Sequence, residues 1–430
     1  MRAGTKDRQV RGRHGAGPRR RLPRRRAVRT RALAGALSAA LVLVAALPAS
    51  GSAAEVRLLR NATSEFDKFI TNPSPESQSW MRRNYAEMRG YSPYFDNNAF
   101  EWSPPPASFY RDLYAIYNNS SGNQLIAAHP DWVLRDAAGR PLYIPYACSG
   151  GTCPQYAGDV GNPAFRAHWI AGARQTFDQS RARSPNGAGY MGIFIDDVNL
   201  EMKVGNGQSE LIAPVDPRTG STMTRANWQR YVAEFTEEIR AAFPGAQITH
   251  NPIWWLSHSD PEVRRQVAAA DVIELERGFN DEGLTAGGGK YGYNTFLNHI
   301  SWLHRRGRRI VLEPYLDTKA EARYEVAGYL LTRRPGDSIS SRFRTEPRAG
   351  GGEWWRHWRT DPGRPRGHRK QRGGVWLRRY ARGTAVVNPP GASAKTIRFK
   401  RAHKSLSGKV SRQFRLAPRE GDFFRKRRRG

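Results

Sequence analysis

Gly189-Tyr190-Met191-Gly192-Ile193-Phe194-Ile195-Asp196-Asp197-Val198-Asn199-Leu200-Glu201 reads as a short apolar strand that ends abruptly in carboxylates. Ile193, Phe194 and Ile195 in succession suit a strand buried on both faces, as in a parallel sheet covered by helices. Asp196 and Asp197 fall at its C-terminal end. Two acids beside an apolar strand are costly unless they bind or react with something. The plainer alternative is that one caps the next segment and the other is solvated. Alternation along the strand puts Asp196 on the face of Phe194, and Asp197 and Asn199 on the other.

The pattern recurs along the chain. Apolar runs at Phe66–Ile70, Tyr91–Phe95, Gln124–Ala128, Gly192–Asp196, Gln247–His250, Val272–Glu276, Arg309–Glu313 and Asp337–Arg342 read as eight strands, each followed by a helix or a long loop. Helices are expected over Glu76–Arg89 and Ser108–Tyr117, and after the N-cap Thr224, where Trp228, Tyr231, Val232, Phe235 and Ile239 recur at helical spacing. Eight such units predict a (β/α)8 TIM barrel over 55–362, in the α/β class. Beyond an Arg/Gly-rich linker at 363–374, short strands at Val375–Tyr380, Thr384–Asn388, Thr396–Lys400 and Gln413–Leu416 predict a small β-sandwich domain over 375–422. A basic tail is expected at 423–430.

The chain has 430 residues and a net charge of +32. That excess sits in the ends: +12 in residues 1–31 and +23 in 333–430, against −3 in the middle. No recognition motif accompanies the basic ends, so no nucleic-acid partner is expected. Residues 1–54 read as a signal peptide: a dense Arg19–Arg31 region, an uncharged run Ala32–Leu47, then small residues to Ala54. An uncleaved anchor is the alternative. Either the export route tolerates the paired arginines Arg20-Arg21 and Arg25-Arg26 or the true start lies further down. Cleavage leaves no stable membrane span and a secreted, extracytoplasmic protein. Cys148 and Cys153 are the only cysteines. In an exported chain so close a pair reads as a local disulfide; half of a metal site is the competing reading.

In a barrel the strand ends converge. Asp96, Asp131, Asp196, Glu274, Glu276 and Glu313 follow strands two, three, four, six, six and seven, and His129, Trp132, Asn251, Trp254, Trp255 and Tyr315 join them. Acids and amides hold sugar hydroxyls, and indoles pack on the ring. Asp196 is assigned as nucleophile or stabilising carboxylate and Glu276 as general acid/base, with Asp197, Glu274 and Glu313 in reserve. Asp96, His129, Asp131, Trp132, Asn251, Trp254, Trp255 and Tyr315 are assigned to substrate. For Glu274 or Glu276 the structural alternative is an ion pair with an arginine such as Arg277 or Arg309. Neither metal nor cofactor is called for.

Gly189–Asn199, His129-Pro130-Asp131-Trp132-Val133-Leu134-Arg135-Asp136 and Asp159-Val160-Gly161-Asn162-Pro163 resemble segments of barrel glycoside hydrolases. The group they resemble is hypothetical glycosyl hydrolase family 15, similar in turn to endo-α-1,4-polygalactosaminidase families, over about residues 60–345. The resemblance implies a barrel fold and an acid at Asp196 on strand four; the strand-six acid matches Glu274 or Glu276. The expected activity is hydrolysis of glycosidic bonds in an extracellular or cell-wall polysaccharide or oligosaccharide. A non-catalytic carbohydrate-binding envelope protein on the same scaffold is the rival. The sequence leaves the sugar and the oligomeric state open.

Overall fold

The computed structural model describes residues 56–62, 79, 83–90, 107–340 (except 147, 150–152, 185, 186, 188 and 209) and 355–427. The expected signal peptide, the expected strands Phe66–Ile70 and Tyr91–Phe95, and Asp96 lie outside the described residues.

Eight parallel strands form a curled sheet: β1 (Leu58–Ala62), β2 (Glu87–Gly90), β3 (Ala107–Asp112), β4 (Gly192–Asp196), β5 (Gln247–His250), β6 (Val272–Glu276), β7 (Arg309–Glu313) and β8 (Ser338–Ser340). Each pairs with the next in sequence, and β1 pairs with β8 as well as β2. Strands four to seven fall where the sequence places them. The first three do not. Ser108–Tyr117 is no helix: β3 occupies Ala107–Asp112, and Ala115–Tyr117 pairs with Gln155–Ala157. Glu87–Arg89, expected at the end of a helix, lies in β2. Gln124–Ala128, expected as strand three, lies in helix α1 (Ser120–Ala128), whose end the Asn119 side chain caps by accepting from the Gly122 amide. So short an apolar run cannot separate strand from helix by itself.

The helices that follow are α2 (Pro163–Arg183), α3 (Arg225–Ala242), α4 (Pro261–Ala269), α5 (Tyr293–Arg305) and α6 (Lys319–Thr332). Asn162, Thr224 and Asp260 side chains cap α2, α3 and α4, and Thr318 with Glu321 forms a capping box on α6. Alternation divides the strand residues. Ile193, Ile195, Ile248, Ile273, Leu275, Ile310, Leu312 and Ile339 are buried in the main apolar core. On the other face of β4, Phe194 packs on Tyr110 and under the Arg89 guanidinium, 3.5 Å from the ring centre. At the N-terminal ends of the strands, Glu87 accepts from Arg57 and Ser338 and pairs with Arg309. Those contacts hold the end that carries stability, and leave the C-terminal ends for chemistry.

A separate antiparallel sheet follows: β9 (Lys370–Arg372), β10 (Val375–Arg379), β11 (Gly383–Asn388), β12 (Lys395–Lys404), β13 (Val410–Leu416) and β14 (Glu420–Lys426), in the order β9-β10-β11-β14-β12-β13. Ala385, Val387 and Phe423 bury one face in the main core, and the Tyr380 hydroxyl donates to the Leu330 carbonyl of α6 at 2.5 Å. Two expectations are corrected. Residues 423–426, expected in a basic tail, belong to β14, because the consecutive Phe423 and Phe424 are buried on opposite faces of the sheet, one in the main core and one in the small core. The expected linker at 363–374 carries β9. Cys148 and Cys153 are joined as a disulfide. Among the described residues no helix is long and apolar enough to cross a membrane.

Candidate active site

Strand register delivers the acids. Asp112 pairs with Asp196 across β3 and β4, and Glu276 with Glu313 across β6 and β7. After β4 the backbone turns sharply: Asp197 has φ 53°, a left-handed conformation uncommon outside glycine but tolerated by Asp. That turn aims the Asp197 amide at Asp196 Oδ1, at 2.9 Å.

Three donors hold Asp196. Besides the Asp197 amide, the Tyr110 hydroxyl donates to Oδ2 and Asn251 Nδ2 to Oδ1, both at 2.9 Å. Burial lifts its pKa, and Glu276 adds to the rise; the three donors oppose it. The same Asn251 Nδ2 donates to Glu276 Oε2 at 3.2 Å. Tyr315 donates its hydroxyl to Glu276 Oε1 at 2.5 Å, and the Arg277 guanidinium lies over the Tyr315 ring. Glu276 itself is exposed. One amide therefore bridges the two assigned carboxylates, and the two oxygens it holds stand no more than about 6 Å apart, close enough for both carboxyls to reach one glycosidic bond.

Behind this pair sit acids that hold protons. Burial, then the Asp196 charge, pushes Asp112 up to about 7, although its Oδ1 accepts from the Tyr114 and Ala115 amides. Asp197 is pushed well above the usual carboxylate range by burial, then by Asp112, with which it shares a hydrogen bond. A protonated Asp197 supplies the donor that Asp112 Oδ2 otherwise lacks. Asn199 Nδ2 donates to Asp197 Oδ1 at 3.0 Å.

Glu274 is fully buried and pairs with Arg89 at 2.5 Å. The arginine partner is neither Arg277 nor Arg309. Glu313, beside Glu274, is raised well above its ordinary value by burial and then by Glu274. Glu274 sits in a buried pair with Arg89, suited to holding the strands, and Glu313, half-buried at the end of β7, hydrogen-bonds with Glu274. Glu325 is a further buried acid outside the cluster. It accepts from the Phe279 and Asn280 amides after β6 and is raised to about 8 by burial.

Several expected substrate residues lie elsewhere. His129 stacks on Trp132, which is buried against Phe165 and His168 of α2, and Asp131 accepts from Asn162. All three were placed after a strand that is in fact α1. Trp254 is buried among Phe296 and His299 of α5. Trp255 is half-buried, donates to Glu201 at 3.1 Å and meets the exposed Tyr291 edge-on. Asp159, Gly161 and Asn162 are structural: Arg218 bonds Asp159 where a Cβ on Gly161 would stand, and Asn162 caps α2.

The sequence reading missed Asp112, Tyr110 and Tyr146. Asp112 obeys the same rule as Asp196, a strand ending in an acid, and was hidden by the helical reading of its strand. Tyr146 is 46% exposed, yet Asp197, Glu276, Asp196 and Asp112 all add to the rise that burial causes in its pKa. Its hydroxyl, on the segment leading into the disulfide, is within electrostatic reach of the acids.

The model of hypothetical glycosyl hydrolase family 15 matches residues 94–384. No curated protein matches the chain significantly. Among solved structures, the chain is similar to the glycoside hydrolase domain of PelA from Pseudomonas aeruginosa, at 14% identity over 66% of this chain and 94% of that one, TM-score 0.40. It is also similar to the maltogenic α-amylase AmyB from Thermotoga neapolitana, at 12% identity over 86% and 98%, TM-score 0.44. The trehalose-6-phosphate hydrolase TreA from Bacillus licheniformis matches at 9% identity over 86% and 99%, TM-score 0.46. Likenesses this loose carry no argument about the site.

Proposed function

The chain belongs to hypothetical glycosyl hydrolase family 15, and on that footing we propose that it is a secreted (β/α)8-barrel glycosidase that cleaves polysaccharide with Asp196 and Glu276. The observation that carries the reading is the Asn251 bridge between the two carboxylates. Carboxyl groups about 5–5.5 Å apart go with retention, and about 6.5–9.5 Å with inversion. Two oxygens held by one amide support the shorter class.

Asp196 is half-buried and held by three donors, which suits a nucleophile that must stay put. Glu276 is exposed and can exchange its proton with water between the two half-reactions, as an acid/base must. Asn251 and Tyr315 hold it in place. Glu276 protonates the leaving oxygen as Asp196 bonds to the anomeric carbon. Glu276 then takes a proton from water, which displaces Asp196. The local disulfide and the leader-like N-terminus support an extracytoplasmic site of action.

Reducing-sugar release from a panel of polysaccharides tests this. Asp196→Asn and Glu276→Gln should each lose activity by about 10²–10⁴ or more while unfolding at the wild-type temperature. Full activity in either variant overturns the assignment.

A further inference from the structure

Between residues 395 and 416 the chain carries eight Lys and Arg and not one Asp or Glu. This is the β12–β13 hairpin. Its inner face is apolar: Phe414 and Leu416 pack with Val375, Val386 and Phe424, and Ile397 and Phe399 lie against them. Alternation sends Arg398 and Lys400 on β12 and Arg415 on β13 outward. Arg412, which shares the parity of Phe414 but falls at a break in the pairing register, and Arg401, Lys404 and Lys409 near the turn are exposed as well.

Other cations of the same sheet have structural partners. Arg378 donates to the Leu330 and Arg333 carbonyls, Arg369 to the Leu297 carbonyl, Arg419 to the Leu284 carbonyl, and Arg382 pairs with Asp361. Among the described residues the seven exposed hairpin cations make no ion pair. Protecting an edge strand takes a charge or two, and solubility is served by mixed signs. Same-face neighbours along a strand stand about 6.6–6.8 Å apart and adjacent strands about 4.8 Å, so seven like charges here repel one another. A polyanion laid across them removes that cost and gains the release of its counterions.

We propose that the outer face of the β12–β13 hairpin binds a carboxylate-bearing polysaccharide. The hairpin presents no aromatic side chain for base stacking, since Phe399 and Phe414 face the small core and His403 stacks on Phe399. It offers no helix N-terminus to cradle phosphate. Its arginine forks match planar carboxylates. The acids of the active site repel an anionic chain, so the hairpin anchors the protein and does not extend the substrate cleft.

Full-length protein is titrated against immobilised polygalacturonate, neutral dextran and double-stranded DNA. Polygalacturonate should bind, dextran should not, and affinity should fall roughly tenfold or more between 50 and 200 mM salt. The variant Arg398→Gln/Lys400→Gln/Arg412→Gln/Arg415→Gln should bind at least about tenfold more weakly with an unchanged unfolding temperature. As a check independent of folding, polygalacturonate should protect Lys400, Lys404 and Lys409 of the wild-type protein from acetylation. Absence of binding, unchanged binding by the variant, unprotected lysines, or DNA bound as tightly as polygalacturonate would each overturn the proposal. None of these readouts depends on glycosidase activity.

Discussion

Replacing Asp112 with Asn removes one buried acid and keeps a side-chain oxygen for the Tyr114 and Ala115 amides. In the folded protein burial, and then Asp196, raise the Asp112 carboxyl from 3.8 to about 7. In the unfolded chain it returns to about 3.9. Between those values the folded state holds a proton that the unfolded state has released. Stability therefore falls as pH rises from about 4 to about 7, and levels off above. Some three units at about 1.4 kcal/mol each bound the whole effect near 4 kcal/mol, of which about 2–3 kcal/mol falls between pH 5 and pH 8. Asp112 shares its hydrogen bond with Asp197, so the lower end applies. Urea unfolding of wild type and Asp112→Asn at pH 5 and pH 8 measures it. The variant should gain about 2 kcal/mol on wild type between the two conditions. A difference that stays constant to within about 0.5 kcal/mol would refute a proton-holding Asp112 beside the catalytic pair.

Other outcomes follow from the same contacts. Glu274→Gln removes one charge partner of the buried Arg89 and should cost up to about 3–5 kcal/mol in chemical denaturation, less whatever Glu313 offsets by ionising; Arg89→Met/Glu274→Met should cost less than the single change. Asn251→Ala unties the carboxylate bridge and should lower kcat about 10²-fold on any substrate found, with little change in unfolding temperature. Gly328→Ala in α6 puts a Cβ on the Phe279 ring and should destabilise by about 1–3 kcal/mol, read as a lower Tm.

Most of the curled sheet was legible in the sequence because β4 to β7 are apolar runs that end in polar residues, with unambiguous helices between them. Where the signal was short, it misled. Leu125 to Ala128 reads equally as strand or helix, and only the Asn119 cap two turns earlier marks it as α1. That one misreading placed Asp131 and Trp132 at a strand end, and the helical reading of Ser108–Tyr117 hid Asp112. Parity along β6 was readable and put Glu274 and Glu276 on one face. Their separation into a buried ion pair and an exposed acid was not, because it depends on Arg89, 185 residues away in sequence. Tyr146 gave no periodic signal; its place within electrostatic reach of the acids comes from the path of a loop.

The central assignment is that Asp196 bonds to the sugar while Glu276 manages the proton. The most direct measurement is peptide mapping, by mass spectrometry, of protein inactivated with the 2-deoxy-2-fluoro glycosyl fluoride of whichever sugar turnover identifies. A two-step retaining mechanism predicts one glycosyl adduct, on Asp196. An adduct on Asp112, Glu276 or any other residue, or inverted product with no adduct, would contradict it.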